Sequence, residues 1–278
     1  MTAVITTTDT GRIPRNDNVV LRAHHLSIAV GDHTIIESAH LSFHSGMVSA
    51  LIGPNGAGKS TLIRALAGDV LPKRGSVFYD DVPTGSLRSL QLARLRSVMP
   101  QRAASAFSFT AREVVEMGRF AFSERPALST RHALKCLHRV GVSHLASQPF
   151  PTLSGGEQAL VTLARVLAQN TAVMLLDEPT SALDVRHQEQ VLAIARACAD
   201  EGRTVVVVLH ELNLAARYAD RVVLLADGKV VADGHPTVAM DPEVLSAAYR
   251  HPIDVVPHPH QRDAPLLLPR TELALPIA

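Results

Sequence analysis

VSALIGPNGAGKSTLIRALAG, Val48 to Gly68, is the stretch that decides how this 278-residue chain folds. A buried-strand run, VSALI (Val48–Ile52), passes straight into GPNGAGKS (Gly53–Ser60), and a helical TLIRALAG follows with Gly68 as its stop. The loop matches G-x-x-x-x-G-K-[ST] in the context the motif requires, after a strand and before a helix. Glycines at 53, 56 and 58 let successive N–H groups turn toward phosphate oxygens, and the helix start adds its positive dipole end. Lys59 can reach β- and γ-phosphates, and the Ser60 hydroxyl can bind Mg²⁺. The candidate triphosphate contacts are therefore Gly53, Pro54, Asn55, Gly56, Ala57, Gly58, Lys59, Ser60 and Thr61.

Working outward, AVMLLDEP sets Asp177 and Glu178 at the end of an apolar strand, where open α/β sheets place their ligands. Asp177 is the expected Mg²⁺ carboxylate, and Glu178 is placed to polarise an attacking water. Short apolar or alternating runs from Val19 to Phe43 predict strands, as does Gly75–Tyr79. Residues 102–150 instead read as helices, among them AREVVEMGRF and STRHALKCLHRVGV, and are taken as an inserted helical subdomain. The α/β alternation resumes with TLSGGEQALVTLARVLAQ, whose Leu160, Leu163, Ala164 and Leu167 form one apolar helix face. A helix over 185–200, a strand TVVVVLH, a short helix and a strand RVVLLADGKVV follow, which together argue for a mainly parallel sheet. The core thus spans 19–101 and 151–235. Residues 1–18 read as a loose polar tail. Residues 236–278, with seven prolines in the final 40, read as an irregular or partly helical appendage.

Composition narrows the function classes. Lys plus Arg is 27 and Asp plus Glu 26, so the net charge is +1, which argues against broad binding of nucleic acid through its phosphates. Cys136 and Cys198 form no C-x-x-C, so they read as small apolar residues and not as a disulfide or zinc framework. No run approaches the roughly 20 apolar residues that cross a bilayer, and MTAVITTTDTGRIPRNDN lacks the pattern of a secretory signal. The expected location is cytoplasmic, with any membrane role exercised through a partner.

Together these residues resemble the nucleotide-binding subunits of ABC transporters, over about residues 19–235. GPNGAGKST resembles the Walker A loop, LSGGE (Leu153–Glu157) the ABC signature, and VMLLDE the Walker B strand. SALD (Ser181–Asp184) resembles the D-loop, Gln101 the Q-loop glutamine, and His210, 32 positions beyond Glu178, the switch histidine. The resemblance implies a P-loop NTPase of the ABC ATPase type, with a RecA-like parallel-sheet core, an N-terminal antiparallel β-subdomain and the helical insert. It also implies ATP and Mg²⁺ as cofactors, with Glu178, His210 and Gln101 in catalysis and Ser60, Gln101 and Asp177 around the metal.

Ser154, Gly155 and Gly156 precede a helix and offer a hydroxyl and exposed N–H groups, a second anion site. In the family such a site meets the phosphate loop of another subunit, so Ser154, Gly155, Gly156, Glu157 and Asp184 are expected to act in trans in a homodimer. Two transmembrane permease subunits and, indirectly, a substrate-binding protein complete the implied assembly, on the cytoplasmic face of the inner membrane. The family's adenine-stacking aromatic aligns near Val30, yet Met1–Ser42 holds no Phe, Tyr or Trp. Phosphate and Mg²⁺ contacts are thus expected to dominate, with Val30 or a nearby histidine touching the base weakly.

RAASAFSFTAREVVEMGRF (102–120) resembles the importer branch serving iron–siderophore complexes, haem and cobalamin, and DVVPHPHQRDAPLLLPR resembles the tail of haem importers' ATPases. The fourteen histidines do not themselves indicate haem binding, and His258 and His260 read as solvated. The rival class is an ABC ATPase that moves no solute. Its chromosome-maintenance and repair members insert long coiled coils, whereas Lys59 and Ser154 here lie 95 positions apart without heptads. An exporter ATPase is a further alternative, against which the 102–120 stretch speaks.

Overall fold

In the computed structural model, the described residues are 19–101, 108–181, 183–261 and 264–271. The tail over 1–18 and residues 102–107 of the helical insert lie outside them, as does Ala182 within SALD. Two long strands come first, β1 (Val19–Val30) and β2 (His33–His44), then β3 (Val48–Ile52), α1 (Lys59–Leu66), β4 (Arg74–Tyr79) and β5 (Val82–Pro83). The middle of the chain forms α2 (Ser89–Leu95), β6 (Arg96–Met99), α3 (Ala111–Glu116), α4 (Pro126–Arg139), α5 (Gly155–Gln169) and β7 (Val173–Asp177). After it come α6 (Val185–Asp200), β8 (Thr204–Val208), α7 (Leu212–Tyr218), β9 (Arg221–Ala226) and β10 (Lys229–Gly234). The last elements are α8 (Pro236–Ala239), α9 (Pro242–Tyr249), β11 (Ile253–Pro257) and β12 (Pro265–Pro269).

β3, β7 and β8 are buried at every position, which is why they read as apolar runs with no alternation. They belong to a six-stranded sheet of order β10-β9-β3-β8-β7-β6, parallel except for β10. Its two faces feed two cores. Val48, Ala50, Met174, Val205 and Val222 pack with the helices α3 to α7, while Leu51, Leu175, Val206 and Val223 pack with α1 and the antiparallel sheet β2-β1-β4-β5. The helix face foreseen on α5 is buried as expected, with Leu160, Leu163, Ala164 and Leu167 all under 5% exposed. That face packs on α3 and α4, so α5 belongs physically to the helical layer as well as to the core.

Three expectations are corrected. RVVLLADGKVV is a hairpin of β9 and β10, not one strand: Asp227 and Gly228 both take positive φ, +46° and +75°, as a two-residue hairpin turn demands. The Asp-Gly pair was the signal for it. The stretch AREVVEMGRF is helical only through Glu116 and continues as a 3-10 segment to Phe122. The appendage is partly helical as expected, through α8 and α9, but it also carries strands that its prolines did not suggest. β11 and β12 form an antiparallel ribbon, with Pro257 and Pro265 at one end of the pairing and Pro269 at the other. Asn213 of α7 fastens that ribbon, its side chain accepting from the Leu267 N–H at 2.8 Å and donating to the Leu267 carbonyl at 3.1 Å. Residues 272–278 lie outside the described residues. Cys198 is buried and Cys136 half-buried, both free thiols. No helix among the described residues is long and apolar enough to cross a membrane.

Candidate active site

Strand order explains how residues far apart in sequence meet. β6, β7 and β8 are adjacent and parallel, so their carboxyl ends lie side by side. β6 leads to Gln101, β7 ends in Asp177 with Glu178 next, and β8 leads to His210. β3, next to β8, leads into the glycine loop. This edge of an open α/β sheet is where ligands bind.

Glu178 is the hub. Its carboxylate accepts from the Gln101 amide at 2.5 Å through one oxygen and lies 2.6 Å from His210 Nε2 through the other. Its side chain is only 10% exposed, and its backbone sits at φ +51°, a strained conformation for a non-glycine residue. Its carboxylate is thus held from both sides. Ser181 Oγ donates to the Glu178 carbonyl at 3.1 Å, fixing the turn that follows. Beside this group lies a cavity of about 280 Å³ lined by Gln101, Gly155, Gln158, Thr162, Glu178 and Ser181 among others. Gln158, which donates to the Leu153 carbonyl at 3.0 Å, was not foreseen there. The glutamine following LSGGE was the available signal.

The phosphate loop is closed on itself. The Lys59 ammonium donates to the carbonyls of Gly53 and Pro54 at 2.7 and 2.9 Å. Burial pulls the Lys59 pKa down from the ordinary lysine value, while the carboxylates of Glu178 and Asp177 act in the opposite direction. Gly53 cannot be replaced without moving the sheet: at φ +143°, a Cβ there would fall 2.1 Å from the Leu225 carbonyl oxygen of β9. The Ser60 hydroxyl donates to Asp177 Oδ1 at 3.1 Å, so the two oxygen-bearing groups expected around a magnesium ion are already adjacent. Burial raises the Asp177 pKa and the Glu178 charge adds to it, against the Ser60 hydrogen bond and the nearby Lys59 and His210. A hard dication that prefers carboxylate and hydroxyl oxygen fits this pair and would relieve that burial cost. Gln101, expected at the metal as well, makes its hydrogen bond to Glu178.

Thr61 is half-buried in the first turn of α1, and Asn55 and Gly56 are exposed at the tip of the loop. Among the residues expected to act in trans, Ser154 caps α5: its oxygen faces the Glu157 N–H at 3.4 Å, and the Glu157 carboxylate accepts from the Ser154 N–H at 2.8 Å and hydroxyl at 2.7 Å. These bonds hold the Glu157 pKa below the ordinary carboxylate value. Ser154 and Gly155 face solvent, and a Cβ at Gly155 would meet nothing within 4 Å. Asp184 caps α6 through the His187 N–H at 2.9 Å and pairs with the His187 ring at 2.8 Å. Val30 is 66% exposed at the tip of the β1–β2 hairpin, opposite His33.

A glycine phosphate loop on a parallel sheet, a carboxylate pair two strands away and a glycine-rich helix start define an ATP-binding cassette. The chain matches the ABC transporter family over residues 36–181, and it belongs to that family as an ATP-hydrolysing subunit. It is 45% identical to the hemin import ATP-binding protein HmuV of Rhodococcus jostii, over 91% of this chain and 87% of that protein. It is 48% identical to the HmuV of Nocardia farcinica, over 84% and 82%. Among solved structures it is similar to a chain of a metal-chelate type ABC transporter in an inward-facing conformation, with TM-score 0.79 and 26% identity, over 92% of this chain and 99% of that one. It is also similar to a dimeric ATP-binding cassette bound to ADP and phosphate in a post-hydrolysis state, with TM-score 0.71 and 28% identity, over 77% and 98%.

Proposed function

We propose that this chain powers hemin import, hydrolysing ATP as a homodimer beneath two permease subunits on the cytoplasmic face of the membrane. The observation that carries the catalytic reading is the clamp on Glu178 between Gln101 and His210, next to the Ser60–Asp177 pair. The identities of 45–48% with hemin import ATPases support the substrate.

In this reading residues 19–101 and 151–235 form the ATPase core, 102–150 the helical subdomain facing the permease, and 236–278 an appendage. Gly53, Pro54, Asn55, Gly56, Ala57, Gly58 and Thr61 cradle the phosphates with Lys59, which exchanges the carbonyls of Gly53 and Pro54 for phosphate oxygens. Ser60 and Asp177, with Gln101, would hold Mg²⁺, which neutralises charge on the phosphate oxygens. Glu178 orients and polarises the attacking water, and His210 keeps that carboxylate in place and faces the γ-phosphate. Ser154, Gly155, Gly156, Glu157 and Asp184 act on the partner's nucleotide. Each chain carries one phosphate loop and one signature helix, so a lone chain holds two half-sites. Groups supplied in trans to a γ-phosphate are worth about 10³–10⁵ in rate, so isolated monomers should turn ATP over slowly. ATP binds the closed dimer better than the open one, and that difference in affinity drives the permease.

The test is reconstitution with the permease in vesicles, comparing ATP-driven uptake of hemin, a ferric siderophore and cobalamin. Hemin uptake that stops with Glu178→Gln, while the variant still binds ATP, is the expected result. Uptake of the siderophore or cobalamin in place of hemin overturns the substrate assignment, and a verified monomer as active as the dimer overturns the mechanism.

A further inference from the structure

Three histidines that the ATP site does not use stand together on the antiparallel sheet. Strand alternation would send His24 and His25, neighbours on β1, to opposite faces. A bulge prevents it. His25 takes φ +49°, and the pairing of β1 slips between Ala23 and Leu26 toward β2 and between His24 and Ser27 toward β4. On β2, Ser38 also takes a positive φ, +46°, and its N–H donates to Ser27 Oγ at 3.0 Å. Gly75 of β4 accommodates the bulge so closely that a Cβ there would fall 2.2 Å from the His25 carbonyl oxygen and 2.4 Å from that of His24. Two strained residues and one obligatory glycine therefore hold the bulge, and strain of this kind concentrates at ligand sites.

The bulge brings both rings against His40 of β2. Ring centroids are 4.5 Å apart for His24–His25, 5.1 Å for His24–His40 and 3.8 Å for His25–His40. His40 Nε2 lies 2.7 Å from His25 Nδ1. One ring nitrogen from each histidine lies within 4.8 Å of the other two, and all three residues are exposed. A groove of about 530 Å³, bordered by His24, His40, Phe78, Arg22 and Arg221, opens beside them. Both arginines are already committed, Arg22 to Asp81 at 2.8 Å and Arg221 to Asp233 at 2.5 Å, so neither guanidinium faces the rings unpaired. Desolvation and the two neighbouring imidazoles hold the His40 pKa below the ordinary histidine value, which favours the neutral ring that ligates metals.

We propose that His24, His25 and His40 form a surface site for a late first-row divalent cation of the Zn²⁺ type, with its remaining coordination open to water. Imidazole nitrogen selects such ions, whereas Mg²⁺ and Ca²⁺ take oxygen ligands, so this site is chemically separate from the one at Ser60 and Asp177. Three histidines with an open position is an established zinc arrangement. Such a site is independent of which molecule the transporter carries.

The experiment is calorimetric titration of Zn²⁺ into chelator-stripped full-length protein, with excess Mg²⁺ present to cover the ATP site. One equivalent per chain is expected. His40→Gln and His25→Asn should each weaken binding at least tenfold while ATP affinity stays unchanged. Asparagine is chosen at 25 because it tolerates positive φ. A His258→Asn, His260→Asn double variant should bind Zn²⁺ as the parent does. Absence of a saturable single equivalent, binding that survives His25→Asn and His40→Gln, or binding lost with the tail variant would each overturn the site.

Discussion

The starts of α1 and α5 are built from the same material, glycine at or beside the cap, and solve opposite problems. At α1 the N-cap is Gly58, no side chain caps the helix, and Lys59 folds onto the loop carbonyls. Its first N–H groups receive no side-chain cap. At α5 Ser154 and Glu157 cap the helix reciprocally, yet the two positions after the cap are glycines, the poorest helix formers after proline. Thr110 and Glu113 make the same capping box on α3, and there the next two residues are a buried Ala111 and Arg112, which pairs with Glu116. Capping thus asks for no glycine. What glycine adds at α5 is bare backbone at the surface, useful only if something approaches it.

The largest effect expected lies on the α1 side. Glu178→Gln should lower kcat by about 10²–10⁴ and leave nucleotide titration curves intact; hydrolysis near the parent rate would remove Glu178 from the chemistry. Ser154→Ala tests the α5 side. Loss of one stabilising donor should cost about 10²–10³ in the kcat of the assembled dimer. The same variant loses a cap worth about 1 kcal/mol. Thr110→Ala is its control: melting should show a similar loss of stability, with ATPase unchanged. Equal ATPase in the two variants would mean that the α5 cap is only a cap.

Gly155→Ala sharpens the contrast further. Open space surrounds the position, so the helix should gain up to about 1 kcal/mol in thermal unfolding. Activity should fall nonetheless, because a methyl group now covers the backbone that a partner's phosphate would approach. A stabilised and fully active variant would argue for a structural accident. The smallest effect is on pH. The cap hydrogen bonds hold the Glu113 and Glu157 pKa values below the ordinary carboxylate value in the folded state. Stability from both boxes is therefore fully present above the unfolded value and lost as pH falls through the lower folded values. Circular dichroism should show α3 and α5 loosening together in that acid range, and a single Glu→Gln change at either box should flatten its share.

Much of this architecture was readable because its signals are contiguous. Val48–Ile52 and Val185–Asp200 have the predicted bounds, and the glycine loop announced the turn between β3 and α1. The failures were of two kinds. The β9–β10 hairpin was missed because a long apolar run masked its Asp-Gly turn. The β11–β12 ribbon was missed because prolines at pairing ends look, in sequence, like prolines that forbid strands. Of the site, residue types were legible and their grouping was not: Glu178 and Gln101 are 77 positions apart and meet only because β6 lies next to β7.

The sequence by itself determined the phosphate loop, the helix caps and the apolar strands, since each depends on backbone torsions and side chains within a few residues. Tertiary structure alone decided the clamp on Glu178, the contact of Ser60 with Asp177 and the gathering of three imidazoles over a bulge. Those depend on strand order and register, which long-range burial sets and no local pattern encodes.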